Sequence, residues 1–256
     1  MVFPLGDDNS DRRAAPLVNY VLIAINVLVF VAFQQLGTDD RFTYKFSTVP
    51  AEIVTGKDVV TDDRVIEDPL SGQQFRAPGL QPTPVSVYLT LLISMFMHGG
   101  IAHLAGNMWF LWIFGDNVED DLGHIRYATF YLLTGIIASL CHVLMNASGP
   151  ASLIPSLGAS GAISGVMGGY LVLHPTRRVR VILLRVLTDV PGYVAVGLWF
   201  AFQLVSGLGL LGSGSRESGV AYAAHIGGFL AGVVLVKPFM LGRTRTMQSA
   251  GPRAGY

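Results

Sequence analysis

The chain has 256 residues, 51% of them hydrophobic and only 13% charged, and its 17 basic and 17 acidic side chains give a formal net charge of zero. A mean hydropathy of +0.51 excludes an ordinary soluble domain and predicts a polytopic membrane protein, while the charge balance gives no reason to expect nucleic-acid binding. The single cysteine, Cys141, lies in an apolar run and offers neither an intramolecular disulfide nor a metal cluster.

The N-terminal segment, residues 1–16, is polar and charged from Asp7 to Arg13. The apolar run that follows has no small-residue cleavage site, so it reads as an uncleaved first span behind a cytoplasmic segment. Apolar runs of roughly 18–22 residues, the length that crosses a hydrocarbon core of about 30 Å, fall at about 17–36, 101–117, 125–145, 158–174, 190–211 and 220–240. The predicted fold class is an all-α membrane protein, a six-transmembrane-helix bundle over residues 17–240, with a flexible cytoplasmic tail over 241–256. A long first external loop, about 37–84, is rich in Pro, Gly and Asp and too long for a plain connection, which marks it as functional or partly ordered on the membrane surface. The stretch 85–97, "VSVYLTLLISMFM", is apolar but short and reads as an interfacial or partly inserted helix leading into the second span.

Lysine and arginine set the orientation. With the N-terminus inside, that side collects Arg12, Arg13, Arg126, Arg177, Arg178, Arg180, Arg185, Lys237, Arg243, Arg245 and Arg253, which favours both termini cytoplasmic. The arginines from 177 to 185 read as a topology signal or as contacts to anionic lipid. The second and fourth spans are interrupted by polar or small residues, and polar groups at membrane depth are costly enough to point to function.

In this topology the second, fourth and sixth spans all run inward from the outer face. "HGGIAHLAGNMW" puts His103 and Asn107 four residues apart, on one helical face. Ser160 opens the fourth span within "GASG", and His225 enters the sixth about five residues in, roughly 7–8 Å along the axis. Small-residue ridges repeat at four on both helices: Gly161, Gly165 and Gly169 with Ser160, Ser164 and Gly168 on one, Ala224, Gly228 and Gly232 on the other. Such ridges let backbones approach and can bring a serine and a histidine within hydrogen-bond reach.

A serine hydroxyl is a poor nucleophile until a base takes its proton, and neutral histidine is the usual base near pH 7. Ser160 and His225 are therefore the candidate catalytic pair. No Asp or Glu lies at this depth in the three spans, and Asp116 and Asp189 fall toward the cytoplasmic ends, so a dyad is expected rather than a triad. Asn107 can offer an amide N–H, His103 a ring N–H and the fourth helix its first backbone amides to a developing oxyanion. The soluble nucleophile elbow, G-x-S-x-G after a strand, is not met, because Ala162 replaces the second glycine and no strand precedes. Without a carboxylate or thiolate beside these histidines, no metal and no cofactor are expected.

The stretches "HGGIAHLAGNMWFLWIFGDNVED", "GASGAISG" and "AHIGGFLAG", in this order over most of the chain, together resemble the rhomboid family of intramembrane serine proteases. The resemblance implies a six-helix core in which Ser160 is the nucleophile, His225 its base, and His103 with Asn107 the oxyanion stabilisers. Gly158, Gly161 and His98 would support the site's geometry, and "FSTVPAEI" would belong to a first external loop lying partly in the outer leaflet. Substrates would be transmembrane proteins cut near the outer boundary of the bilayer, beside small and helix-weakening residues, and the expected location is the cell (inner) membrane of a bacterium. Oligomeric state is not readable from the chain. Two positions depart from the family pattern: Ser164 stands where many relatives place a Tyr or Phe against the catalytic imidazole, and the Trp-Arg pair frequent in the first loop is absent. The competing reading is a non-proteolytic relative that binds transmembrane clients, which has no need of all four polar site residues. A small transporter would show repeated halves or a midplane path of ionisable groups, and neither is visible.

Overall fold

The computed structural model describes residues 2–67, 74–183, 186–207 and 221–243. The chain opens with a strand, β1 (Val2–Asp7), and then α1 (Leu17–Leu28), which continues as a π-helical turn over Val29–Phe33. The external loop holds α2 (Asp40–Phe46), started by Asp39 accepting from the Phe42 N–H at 2.8 Å, then α3 (Pro50–Thr55) and a hairpin of β2 (Arg64–Glu67) and β3 (Gln74–Ala77). Next come α4 (Thr90–Ile93), extended by 3-10 turns on both sides, α5 (Ile101–Leu122) and α6 (His124–Met145). The remainder is α7 (Ser160–Leu173), β4 (Arg178–Leu183), β5 (Val186–Pro191), α8 (Gly192–Gly207) and α9 (Tyr222–Met240).

The protein is mostly helical and is a multi-pass integral membrane protein. Among the described residues, α6 and α9 are each long and apolar enough to cross a membrane, and the helical stretches Val87–Phe96 and Ile101–Leu122 pass that test together, bent by 79° at their junction. That bend places the short apolar stretch before α5 at an angle to it, as expected of a helix leading into the second span. Leu17–Phe33, α7 and α8 are apolar but shorter.

One expectation is corrected. The fold is not all-α, because β1, β4 and β5 form an antiparallel sheet in the order β1-β4-β5, and β2 pairs with β3. The reason is legible in "RVRVIL": Val179 and Val181 are buried and Arg178 and Arg180 point outward, the two-residue alternation of a half-buried strand. Within the N-terminal segment, Val2–Asp7 is the strand paired to β4. Of the nearby arginines, Arg177 pairs with Asp11 at 2.7 Å and Arg180 with Asp189 at 3.1 Å. Arg185 and the tail from residue 244 onward lie outside the described residues.

The sheet end of the bundle is cross-linked by the acidic C-terminal turns of α5. Glu119 accepts from the Val18 and Asn19 N–H groups at 2.9 and 2.7 Å, satisfying two orphan donors at the start of α1. Arg12 pairs with Asp116 at 3.0 Å and Arg13 with Asp120 at 2.9 Å. Asp7 accepts from the Asn117 amide at 2.6 Å and the Tyr170 hydroxyl at 2.8 Å, tying β1 to α5 and α7. Burial, reinforced by the nearby Asp116 carboxylate, pushes the Asp7 carboxyl up to about 7.

Helix α7 sits at the centre. Every residue from Gly161 to Tyr170 is buried, as expected of a helix that is apolar on all sides. Its contact with α9 is backbone to backbone: a Cβ at Gly228 would collide with the Gly161 carbonyl oxygen, one at Gly232 with that of Gly165, and one at Gly168 with that of Phe229. Without bulk in either ridge, the two helices approach as closely as their main chains allow.

Candidate active site

The end of the bundle opposite the β1-β4-β5 sheet gathers the polar side chains. The main chain reaches α7 through Gly158, which adopts φ +124°, a region costly for any residue with a Cβ. Its N–H donates to the Ser94 carbonyl at 2.9 Å, and the preceding Ser156 pairs with Thr48 of the external loop. Thr48 also donates to the Thr90 carbonyl at 3.0 Å, so the loop is fastened to α4 where the chain turns into α7. These links fix the entry angle of Ser160.

Ser160 is the first residue of α7 and His225 lies in the first turn of α9, beside the Gly161–Gly228 contact. Across that contact the Ser160 Oγ and His225 Nε2 are 2.7 Å apart. On its other side the imidazole meets an uncharged partner, with His225 Nδ1 2.9 Å from Gln203 Oε1 on α8. The Trp199 and Tyr222 rings stand near the imidazole, at centroid distances of 6.2 and 6.4 Å. At position 164 there is no ring. The buried Ser164 hydroxyl turns back to donate to the Ser160 carbonyl at 2.6 Å, which keeps the ridge narrow enough for α9.

His103 sits in the first turn of α5. Its Nδ1 accepts from the Gly99 N–H at 3.3 Å, so a neutral ring carries its proton on Nε2. A Cβ built on Gly158 would come within 2.9 Å of that Nε2 and 3.8 Å of Ser160 Oγ. Glycine at this position therefore leaves a small space bordered by both atoms. One turn further along the same face of α5, Asn107 is buried and its Nδ2 has no hydrogen-bond partner among the described residues. A buried donor left unpaired costs about 1–3 kcal/mol, and such exceptions call for a functional or structural reason.

His98 lies outside the hydrogen-bonded pair. It is fully buried, its ring meets that of His103 edge-on at 5.1 Å, and neither ring nitrogen has a hydrogen-bond partner among the described residues. Its main chain is clamped by Gln34, which accepts from the His98 N–H and donates to the His98 carbonyl, both at 2.8 Å. Gly161 lies in the α7–α9 contact, where a Cβ would come within 2.7 Å of Ala138 on α6. Gln203 is the site residue that sequence reasoning missed. The signal was present: Val196, Trp199, Gln203 and Ser206 recur at three and four along α8, placing an amide on a face that packs inward.

Residues 86–241, more than half of the chain, match the family described as "Rhomboid domain". The chain belongs to the rhomboid family. This rhomboid is 29% identical over 237 residues to Rhomboid protein 1, mitochondrial, of Saccharomyces cerevisiae, an alignment covering 91% of this chain and 57% of that protein. It is 30% identical over 173 residues to the Presenilin-associated rhomboid-like protein, mitochondrial, of Mus musculus, covering 62% of this chain and 43% of the relative. With Rhomboid protease GluP of Bacillus subtilis it shares 34% identity over 142 residues, 56% of this chain and 24% of that protein. The chain thus spans about half the length of the first two relatives and about a quarter of the third. The matched region begins just before α4 and ends just after α9, so it takes in every residue of the site except Gln34 and Thr48 of the outer clamp.

Proposed function

We propose that this rhomboid is an intramembrane serine endopeptidase that cleaves transmembrane proteins, with Ser160 as nucleophile and His225 as general base. The observation that carries the proposal is the 2.7 Å contact between Ser160 Oγ and His225 Nε2, joining a nucleophile and a base from two helices. His225 Nε2 takes the hydroxyl proton as Oγ bonds to the scissile carbonyl carbon, and the carbonyl π electrons move to oxygen. His103 Nε2–H and the unpartnered Asn107 Nδ2–H supply donors to that oxyanion, each of a kind worth about 10²–10³ in kcat. Collapse breaks the C–N bond, and the leaving amine takes the proton from the His225 imidazolium, leaving an ester on Ser160. Water then gives a proton to His225 while attacking the ester carbon, and Oγ leaves with that proton restored.

The same reading takes α1, α7 and α8 as spans beside α5, α6 and α9, giving six over residues 17–240. The first external loop at about 37–84 lies outside, and residues 1–16 and 241–256 lie in the cytoplasm. What supports this orientation is charge: Arg12, Arg13, Arg126, Arg177 and Arg243 all bond at the end where α5 and α9 terminate, the pattern of an inward-facing surface. Ser160 and His103 begin their helices at the other end, which puts the chemistry in the outer leaflet of what we take to be a bacterial cell membrane. A substrate helix must unwind there to expose a carbonyl, hence a preference for helix-weakening residues around the cut.

Co-expression with a transmembrane reporter tests this. Wild type is expected to cut, and Ser160→Ala and His225→Ala to insert normally and leave the reporter whole. Cleavage retained in either variant removes the pair, and a wild-type chain that binds the reporter without cutting it favours the client-binding reading.

A further inference from the structure

His225 has two nitrogens, and the base role uses only one. For Nε2 to accept the Ser160 proton, a neutral ring must carry its own proton on Nδ1, and something must hold that proton there. A ring free to flip, or protonated on Nε2, presents the nucleophile with a donor instead of a base. Position 164, one turn after Ser160, is a serine and supplies no aromatic surface against the ring.

We infer that Gln203 is the positioning residue of the catalytic histidine, its side-chain carbonyl accepting the Nδ1 proton and so fixing both tautomer and ring orientation. This inference rests on the proposed Ser160–His225 pair. Four observations carry it. Gln203 Oε1 is 2.9 Å from His225 Nδ1, on the opposite side of the ring from Ser160. The amide is buried in a largely apolar helix, where most buried polar groups are held by a partner. Its helix differs from those bearing Ser160 and His225, so the ring is held from α8 against α7. Finally, the nearest rings, Trp199 and Tyr222, stand more than 6 Å away by centroid, at 37° and 80° to the imidazole, and neither is placed for parallel stacking.

The arrangement is a triad in geometry with a neutral third member. A carboxylate in that position would stabilise the imidazolium and raise its pKa; an amide orients without adding a full charge to the membrane interior. That difference is the handle for a test. The rate at which a fluorophosphonate probe labels Ser160 is measured against pH in purified wild type, Gln203→Met, which keeps the shape and loses the acceptor, and Gln203→Glu, which keeps the acceptor and adds charge. Reporter kcat and KM are measured alongside.

Gln203→Met is expected to label at least about tenfold more slowly, with the loss in kcat and KM nearly unchanged. Gln203→Glu is expected to recover most of the rate and to move the acidic limb of the profile to higher pH, which a merely structural residue would not do. Should Gln203→Met not accumulate in the membrane, Gln203→Asn, which withdraws the acceptor by one methylene, carries the same expectation. A Gln203→Met rate within a factor of about two of wild type, or equal slowing in the Met and Glu variants, overturns the inference while leaving the Ser160–His225 pair standing. Wild type that neither labels nor cuts overturns the pair itself, and the inference with it.

Discussion

Gly228→Ala should abolish the proposed cleavage through a single methyl group that touches no substrate. The added carbon would land on the Gly161 carbonyl oxygen, a main-chain atom with no rotamer to escape into. Relief requires α7 and α9 to separate by roughly 1 Å at that level, and misplacements of that size cost on the order of 10²-fold in rate. Gly161 follows Ser160 directly and Gly228 lies one turn beyond His225, so the separation is transmitted almost whole to the pair. Its 2.7 Å contact opens to roughly 3.7 Å, past the limit of about 3.2 Å for a competent general base. Overpacking itself should lower stability by about 1–3 kcal/mol, little enough for the variant to insert and be purified. The assay is the initial rate of reporter cleavage in proteoliposomes, with Gly197→Ala as control, because a Cβ at that glycine on α8 meets nothing within 4 Å. A loss of on the order of 10²-fold for Gly228→Ala beside a near-wild-type Gly197→Ala fits the reasoning. Equal rates in the two variants would refute the claim that backbone contact between α7 and α9 sets the site.

Two further outcomes follow from single side chains. Asn107→Ala should lower kcat about 10²–10³-fold with KM little changed, and because its Nδ2 has no partner to lose among the described residues, thermal stability should not fall; a drop in stability with unchanged kcat would reassign the residue as helix glue. Asp7, pushed up to about 7 by burial and Asp116, holds in the folded chain a proton that the unfolded chain, with its ordinary carboxylate near 3.8, has already released. The folded state therefore binds more protons between those values, and this group's contribution to stability declines as pH rises through that window. Asp7→Asn lacks the titration, so its melting temperature should gain on wild type between about pH 4 and about pH 7, and a difference independent of pH would place the carboxyl in the ordinary range.

The long helices were legible because the bilayer imposes a length: α6 and α9 stand out as apolar runs, while α5 passes only together with the short stretch before it, which is too brief to cross alone. The strands were not, since a search for membrane-length runs passes over six-residue segments, and β1 finds its partner β4 only after most of the bundle intervenes in sequence. "RVRVIL" carries a strand pattern, but its arginines invite a reading as topology signals before one as alternation. At the site, matched depths and facing glycine ridges suffice to pair Ser160 with His225 and to bring His103 and Asn107 to the same helical face. Gln203 escapes that logic because the search for a third member considers carboxylates on the second, fourth and sixth spans, whereas the partner is an amide on the fifth. Nor does the sequence reveal that Gly158 opens the space between His103 and Ser160, which depends on its φ of +124°.

The most direct measurement is the chemical identity of the activated side chain. The chain in liposomes is exposed to a fluorophosphonate, digested, and mapped by mass spectrometry. A single adduct on the peptide containing Ser160, abolished in His225→Ala while the variant keeps its wild-type melting temperature, is the predicted result. Labelling of Ser160 that persists at an unchanged rate without His225, or an adduct on a different serine, would contradict the account.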